Sequence, residues 1–277
     1  MLKYLSAAAL AGTALFSSPA LAQDADNWTG FYVGGQLGYG FQPNDDNERI
    51  LFDTNLEGIS GDTVRTGAGA DAFSPGFCGG AATTNAPAGG CRDDRDGIEG
   101  GIHIGYDAQL PDSGFVVGLV ADYSRTRLRD SVSAFSTTPA SYTMTRELRD
   151  LFTLRGRVGF AAGRALIFGT SGVAYGRIRN SFSTTNTANS FTGNGNQNGW
   201  GGVAGGGVEY RLTGNFTIGA QYLYRSVDAD DYVVRAGPGT APATNPFRLV
   251  NANGTDFTRS GGRLTSHGVQ MTASYRF

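Results

Sequence analysis

Eight segments of this chain alternate apolar residues with polar or glycine residues, and the connections between them alternate in length. A period of two places successive side chains on opposite faces of a β-strand, so each segment is predicted to be a strand. The segments are 30–40, 98–110, 115–127, 148–161, 165–178, 199–211, 216–227 and 265–277. The connections are tight at 111–114, 162–164 and 213–215, and long at 41–97, 128–147, 179–198 and 228–263. Short turns at one end and long loops at the other are typical of an outer-membrane barrel.

The two faces of each segment reverse the pattern of a water-soluble sheet. In the first segment Phe31 and Leu37 share one face, whereas Tyr32 and Gln36 share the other. Polar faces rich in glycine suit a narrow and crowded barrel interior, and apolar faces that end in aromatic residues are typical of the girdles at membrane interfaces. We therefore predict an all-β fold, an eight-stranded antiparallel transmembrane β-barrel with short periplasmic turns and long extracellular loops. The alternative is a soluble β-sandwich or lipocalin-like barrel. The orientation of segment 165–178, which is apolar or small on both faces, stays open.

Composition excludes several other classes of protein. The 277 residues include 43 glycines, but these lack the G-X-Y period of collagen. The formal net charge is −2, which gives no support for a nucleic-acid partner. The sequence has no run of about 18 consecutive apolar residues, so no transmembrane helix is predicted.

The N-terminus predicts a secretory signal peptide. Lys3 precedes an apolar run over 5–16, and residues 20–22 form a small-residue cleavage site. The predicted domains are a cleaved signal peptide, residues 1–22, and one outer-membrane β-barrel domain, residues 23–277. Cleavage would remove the only lysine, so that every remaining basic residue is an arginine. Arginine binds phosphate through two parallel hydrogen bonds, which would suit an anionic surface glycolipid; codon bias is the alternative explanation.

The two cysteines, Cys78 and Cys91, lie in a segment rich in Gly, Ala, Thr and Asn. In an exported protein such a pair indicates a disulfide. The bond would close a loop of about 14 residues and stabilise the fold by about 3 kcal/mol in the chain-entropy model. A zinc site is disfavoured, because no histidine lies nearby and two thiolates alone bind zinc poorly. No metal and no cofactor are predicted.

Charged residues on the polar faces are predicted to lie inside the barrel. Buried charges must be paired or hydrated, and the interior of an eight-stranded barrel is filled by side chains. The predicted interior charge network comprises Glu99, Asp122, Arg155, Arg157, Glu209 and Arg225. The same faces carry Asp107, Arg149, Arg211 and Arg276. We hypothesise that arginine–carboxylate pairs plug the lumen; the alternative is a water-filled path for small solutes.

Each of the two histidines has neighbours that could form a site for catalysis or metal binding. Glu99, His103 and Asp107 share one face of a strand, but strand residues four apart are about 13 Å apart, so they do not form a site by themselves. Ser266 and His267 are adjacent, so their side chains point to opposite faces and cannot share a proton. We predict that the protein is not an enzyme and has no catalytic residue.

Three stretches resemble a known family: WTGFYVGGQLGYGF at 28–41, GWGGVAGGGVEYRLTGNFTIGAQYLYRSVD at 199–228 and VQMTASYRF at 269–277. They are similar to the small porin-like outer-membrane β-barrels, which include alphaproteobacterial surface antigens and opacity proteins. The resemblance implies insertion into the Gram-negative outer membrane as a multi-pass barrel, with both termini periplasmic. The C-terminal residues resemble the signal that the outer-membrane barrel assembly machinery reads. These are Val269, Met271, Ala273, Tyr275 and Phe277.

The expected function is structural: a surface barrel that supports envelope integrity, with exposed loops for surface interactions. The alternatives are a narrow porin that passes small solutes and a loop-mediated adhesin or haem-binding protein. The expected partners are outer-membrane lipid and lipopolysaccharide, the barrel assembly machinery, and an extracellular ligand contacted through the loops.

Overall fold

A computed structural model of the chain describes residues 27–42, 47–229 and 232–277. The predicted signal peptide, residues 1–22, lies outside them. The described residues form fifteen strands and two short 3-10 helices, Pro87–Gly89 and Pro246–Arg248. In chain order the strands are β1 (Gly30–Phe41), β2 (Ile50–Asp53), β3 (Gly76–Gly79), β4 (Ala81–Ala82), β5 (Cys91–Arg92), β6 (Gly97–Gln109), β7 (Phe115–Ser136), β8 (Ala140–Ala162), β9 (Ala165–Thr184), β10 (Ser190–Gly193), β11 (Gln197–Arg211), β12 (Phe216–Asp228), β13 (Val234–Gly237), β14 (Thr255–Arg259) and β15 (Arg263–Arg276). In this described part of the chain, no helix has the length and apolar character needed to cross a membrane.

Eight long strands close into one antiparallel barrel. The order around the ring is β1, β6, β7, β8, β9, β11, β12 and β15, and β15 pairs again with β1. Leu37 on β1, for example, lies opposite Gly100 on β6 and opposite Met271 on β15. At two of the tight turns, Asp112 and Gly163 adopt left-handed backbone conformations, with φ of 52° and 57°. The predicted eight-stranded antiparallel barrel is confirmed.

The apolar faces of the barrel strands point outward, as the reversed alternation predicts. Leu37 and Ile98 are 65% and 71% exposed, whereas Tyr32 and Gln36 on the polar face are buried. The structure also settles the orientation of the fifth barrel strand, β9. Its even-numbered side chains, such as Leu166 and Phe168, point inward, while Ile167 and Val173 point outward.

The prediction of a long loop over residues 128–147 is wrong. The strands β7 and β8 continue through this region as a hairpin, and Ser136 lies opposite Ala140. Side chains on both faces of the hairpin are buried here. Val132 and Tyr142 join the apolar core on one face, and on the other the Ser133 hydroxyl bonds to Gly80 and Ala82 of the first long connection. A strand that is buried on both faces loses the apolar–polar alternation from which strands are predicted.

The prediction that Arg149 lies inside the barrel is also wrong, because a β-bulge reverses the parity of β8. Leu148 lies opposite Ile178 of β9 and Asp150 lies opposite Arg177, which leaves Arg149 without a partner in the pairing. The extra residue turns the following side chains to the other face. Arg149 therefore points outward and pairs with Glu147 at 3.1 Å.

The long connections fold into an ordered extracellular cap rather than separate loops. β2, β14, β13 and β10 form a four-stranded antiparallel sheet, and a disulfide joins Cys78 to Cys91. The cap has its own apolar core, in which the rings of Phe52 and Phe257 are 5.0 Å apart. The buried core residues are Ile50, Phe52, Val64, Ala72, Phe73, Val132, Ala134, Ala140, Tyr142, Met144, Val234, Ala236, Phe247 and Phe257.

Candidate functional site

Near the periplasmic end of the lumen, two arginines and two carboxylates form a closed ring of ion pairs. Arg276 contacts Asp107 at 2.6 Å and Glu209 at 3.2 Å. Arg157 contacts the same two residues at 3.3 and 2.9 Å and donates a hydrogen bond to the Tyr32 hydroxyl at 3.2 Å. All of these side chains are buried. We call the four charged residues the periplasmic ring.

The floor of the lumen lies beneath this ring. The Trp28 side chain is fully buried, and the guanidinium groups of Arg211 and Arg276 each lie 4.9 Å from the centre of its ring. Cations at this distance from an indole face are attracted by its quadrupole. Trp28 also donates from its indole nitrogen to the carbonyl of Gly163 in a periplasmic turn, at 3.1 Å. These contacts close the periplasmic end.

A second set of polar side chains crosses the lumen further toward the cap. Arg155 donates to Asp122 at 2.9 and 3.1 Å and to the Gln221 amide oxygen at 3.3 Å. Gln221 donates to Gln270 at 2.7 Å, and Gln270 donates to Glu99 at 2.9 Å. Glu99 then binds Arg225 through both carboxylate oxygens, at 2.7 and 3.0 Å. This chain, the middle network, runs continuously between two buried ion pairs. The space between it and the periplasmic ring is about 20 Å³, room for about one water molecule.

An apolar layer fills the extracellular half of the lumen beside the Glu99–Arg225 pair. Its residues point inward from β7, β8, β9, β11, β12 and β15 and are Leu128, Leu148, Leu151, Ala174, Ile178, Val203, Leu223, Val227 and Leu264. The apolar layer and the Glu99–Arg225 pair lie close together, since a Cβ added at Gly40 would lie 3.3 Å from Leu128 and 3.4 Å from Glu99. Apolar constrictions resist wetting, so this layer is a barrier to ions.

A third charged group, the neck cluster, connects the barrel to the cap. Arg146 contacts Asp130 at 2.5 Å and Glu48 at 3.2 Å, and Arg259 contacts the same two carboxylates. Burial acts to raise the pKa of Asp130, but Arg259 and Arg146 outweigh it and hold that pKa below its usual value. Burial raises the pKa of Glu48 despite its arginine partners.

Asp94 lies close to this cluster and accepts a hydrogen bond from the backbone nitrogen of Ser131 at 2.8 Å. Burial, followed by the charge of Asp130, raises the pKa of Asp94 to about 7. Asp94 therefore changes its charge near neutral pH.

The cap contains a cleft of about 270 Å³ on its outer side. Aromatic residues line part of the cleft, and asparagine, serine, threonine, alanine and proline residues line the rest. The aromatic residues are Phe73, Tyr142 and Phe247. Asn186 donates to the Tyr142 hydroxyl at 3.0 Å and so fixes one edge of the cleft.

The six residues of the predicted charge network are all buried and all paired, in three separate pairs: Asp122–Arg155, Glu99–Arg225 and Arg157–Glu209. Sequence reasoning placed Asp107, Arg211 and Arg276 on the same faces, and they too lie inside. It missed the two linking glutamines and the apolar layer. Both glutamines lie on the predicted polar faces, so the alternation of each strand could have indicated that they point into the lumen.

The two histidine arrangements are resolved by their neighbours. His103 points into the lumen, where its Nε2 lies 2.8 Å from the Ser274 hydroxyl. Ser266 is buried, whereas His267 points outward and its Nδ1 lies 2.5 Å from the Tyr222 hydroxyl. Neither histidine joins a serine and a carboxylate in a catalytic arrangement within the described residues.

The C-terminal side chains of the predicted assembly signal all point outward from β15 and its end. Phe277 is 61% exposed, and its backbone nitrogen donates to the carbonyl of Phe31 at 2.9 Å. The terminal residue is therefore held against the first strand where the barrel closes. The role of this stretch as an assembly signal stays a prediction.

The sequence is similar to those of known outer-membrane proteins. A sequence profile of the family described as outer membrane protein beta-barrel domain matches residues 8–277. The chain is 31% identical over 129 residues to the 31 kDa outer-membrane immunogenic protein of Brucella melitensis, over 46% of this chain and 53% of that protein. The match thus spans about half the length of the curated relatives.

Two solved outer-membrane structures are similar along most of their length. The outer membrane protein OprG from Pseudomonas aeruginosa is 13% identical with a TM-score of 0.45, over 91% of this chain and 98% of that one. Neisserial surface protein A is 12% identical with a TM-score of 0.35, over 90% and 98% of the two chains.

Proposed function

The chain belongs to the outer membrane protein beta-barrel domain family, and from this premise we propose that it is a sealed structural barrel that supports the integrity of the outer membrane. The family is one of structural and transport barrels, so the protein is not an enzyme and resides in the outer membrane, embedded in its lipid. The main support for a structural role is that side chains occlude the lumen.

Three features of the interior support a sealed lumen. The periplasmic ring pairs every one of its carboxylates with two arginines, the middle network spans the lumen, and the apolar layer fills the section beside the Glu99–Arg225 pair. The neck cluster ties the cap to the extracellular end of the barrel. A narrow porin would need a continuous hydrated path. The space between the middle network and the periplasmic ring is about 20 Å³ and holds about one water molecule. The porin alternative is therefore the weaker one.

The structural role is tested in cells that lack the gene. Deletion is expected to increase entry of a large hydrophobic dye and sensitivity to detergent, and expression of the intact chain is expected to restore both. The matched control is a chain with the disulfide cysteines replaced, Cys78→Ser with Cys91→Ser, which is expected to keep the barrel and to restore both properties. Unchanged dye entry together with slower uptake of small hydrophilic solutes would instead favour the porin.

The partner that inserts the barrel is proposed to be the outer-membrane assembly machinery. The alternating outward row that ends at Phe277 supports this proposal, because the row is exposed and lies at the closing strand. Replacement of Phe277 by Ser is expected to lower the amount of folded barrel in cells, while refolding of the purified variant in detergent proceeds normally. Equal loss in both settings would point to a folding defect rather than to lost recognition.

Surface binding through the cap is a second candidate function, and the cleft between Phe73 and Phe247 favours it. An ordered cleft with aromatic and amide groups suits a small ligand on a host or neighbouring cell. The haem alternative has less support, since both histidines of the chain lie on barrel strands. Loss of whole-cell binding on Asn186→Ala, with a folded barrel retained, would support this function; unchanged binding would count against it.

A further inference from the structure

A row of aromatic side chains marks the extracellular membrane boundary on one half of the barrel. Tyr123, Phe152, Tyr175 and Trp200 lie opposite one another in register across β7, β8, β9 and β11. Their ring centres are 4.9, 6.4 and 5.0 Å apart from one pair to the next. Outward aromatic rows of this kind lie at the level of the lipid headgroups.

Outward-pointing arginines follow this row immediately on the extracellular side. They are Arg125, Arg127 and Arg129 on β7, Arg149 on β8, and Arg177 and Arg179 on β9. Arg125 and Arg177 are each two residues beyond the aromatic row, which is about 7 Å along a strand. We call these six residues the arginine belt.

The belt carries more positive charge than its neighbours neutralise. Two carboxylates lie among the arginines on the same outward face, Glu147 and Asp150. Glu147 pairs with Arg129 and Arg149, at 2.9 and 3.1 Å. Asp150 lies between Arg125 and Arg177 in the register and accepts a hydrogen bond from the Tyr123 hydroxyl at 2.7 Å.

Four belt arginines make no ion pair within the described ranges of the chain. They are Arg125, Arg127, Arg177 and Arg179, and all four are exposed. The guanidinium group of Arg177 lies 5.8 Å from the centre of the Phe152 ring, so it stands directly over the aromatic row. The four guanidinium groups without an ion pair are available to bind an anion from the surroundings.

The opposite half of the barrel differs at its extracellular end. On β12 and β15 the outward arginine near the extracellular end is Arg263, and it pairs with Asp228 at 2.6 Å. The surplus positive charge is therefore confined to the side formed by β7, β8 and β9. A one-sided belt at headgroup level fits a bound lipid better than a general attraction to the membrane surface.

We propose that the arginine belt binds the phosphorylated headgroup of a glycolipid in the outer leaflet. Guanidinium groups bind phosphate oxygens through paired charge-assisted hydrogen bonds. The aromatic row beneath would contact the sugar and the start of the acyl chains. The inference deepens the proposed structural role, since it names the lipid class that ties the barrel to its leaflet, and it rests on that role for its setting.

The test measures binding of diphosphoryl lipid A to the refolded full chain in detergent micelles. The variant is Arg127→Gln with Arg177→Gln and Arg179→Gln, which breaks no ion pair of the described structure. The matched control is Arg263→Gln on the opposite half. The triple variant is expected to bind at least about tenfold more weakly, whereas the control changes by less than about twofold. A heat-dependent gel shift verifies that each barrel is folded.

Three results would overturn the proposal. One is equal binding of the triple variant, another is equal loss in the Arg263→Gln control, and the third is equal affinity for lipid A from which both phosphates have been removed. Displacement by millimolar inorganic phosphate would assign a simple anion site instead of a lipid site. The lumen plays no part in lipid binding. A negative binding result would therefore leave the sealed-barrel proposal intact, and an open lumen would leave the proposed lipid site intact.

Discussion

Glu99 and Arg225 bind each other through two hydrogen bonds, at 2.7 and 3.0 Å, from strands that are not neighbours in the barrel wall. The pair crosses the lumen from β6 to β12, and Gln270 of β15 donates to Glu99 between them. Both side chains are buried. The pair therefore braces two strands that are three positions apart in the ring of eight, and it lies inside the lumen against Gly40 and Gly268.

Removal of one member of this pair is expected to destabilise the barrel strongly. Arg225→Ala leaves Glu99 buried and unpaired, which costs about 3–5 kcal/mol. The double variant Glu99→Gln with Arg225→Gln removes both charges and is expected to be clearly more stable than the single variant. Urea unfolding of the protein in lipid vesicles, followed by the gel shift, measures both. Equal stability of the Arg225→Ala variant and the wild type would show that the pair is not a brace.

The space for the periplasmic ring depends on a glycine. A Cβ at Gly118 would collide with the Asp107 carboxylate and lie 3.2 Å from the Arg157 side chain, so Gly118→Ala is expected to lower refolding yield and stability. Gly202→Ala is the matched control, because a Cβ there meets nothing within 4 Å. Comparable refolding of the two variants would contradict the tight packing of the ring.

Much of this interior could be predicted from the sequence, because an eight-stranded barrel forces every second side chain inward. The alternation of each strand alone predicts that Asp122, Arg155 and Glu209 point into the lumen, and all three are buried there. Parity failed at Arg149, where the bulge inserts an extra residue that no local pattern announces.

The cap and the apolar layer escaped prediction for a different reason. Val203, Leu223 and Val227 are apolar residues at inward positions, and their pattern alone does not distinguish a lumen plug from irregular alternation. Residues 128–147 lose their alternation because both faces are buried by contacts from distant parts of the chain. Such tertiary burial leaves no periodic signal in the sequence.

The cap is expected to be less stable at pH 8 than at pH 5. The pKa of Asp94 is about 7 in the folded protein and near 3.8 when exposed, so the folded form binds more protons between these values and stability falls as pH rises. Asp130, held below its usual pKa, stays ionised throughout this range. Glu48, whose pKa is also raised, contributes in the same direction, so Asp94→Asn is expected to reduce the dependence while keeping an acceptor for Ser131.

Hydrogen exchange measured by mass spectrometry checks this prediction on the cap peptides. Comparison of Asp94→Asn with the wild type at each pH cancels the intrinsic pH dependence of exchange. The variant is expected to gain protection relative to the wild type at pH 8 and little at pH 5. A constant difference between the two proteins at both values would rule out titration of Asp94 as the cause.

The disulfide is expected to stabilise the cap and not the barrel. The two cysteines are 13 residues apart in sequence, so the bond restricts a short loop and contributes about 3 kcal/mol in the chain-entropy model. Cys78→Ser with Cys91→Ser is expected to speed protease cleavage within 60–95, while the heat-dependent gel shift of the barrel persists. Loss of the gel shift in this variant would mean that cap and barrel fold as one unit.

We propose a sealed lumen, and single-channel recording of the refolded wild type in a planar bilayer is the most stringent test of that claim. A gel shift first establishes that the barrel has formed. The filled interior predicts no stable open level, and it predicts that Arg155→Ala alone also stays closed, because the apolar layer and the Glu99–Arg225 pair remain. A reproducible open level in the wild type would contradict the claim and make this protein a small porin.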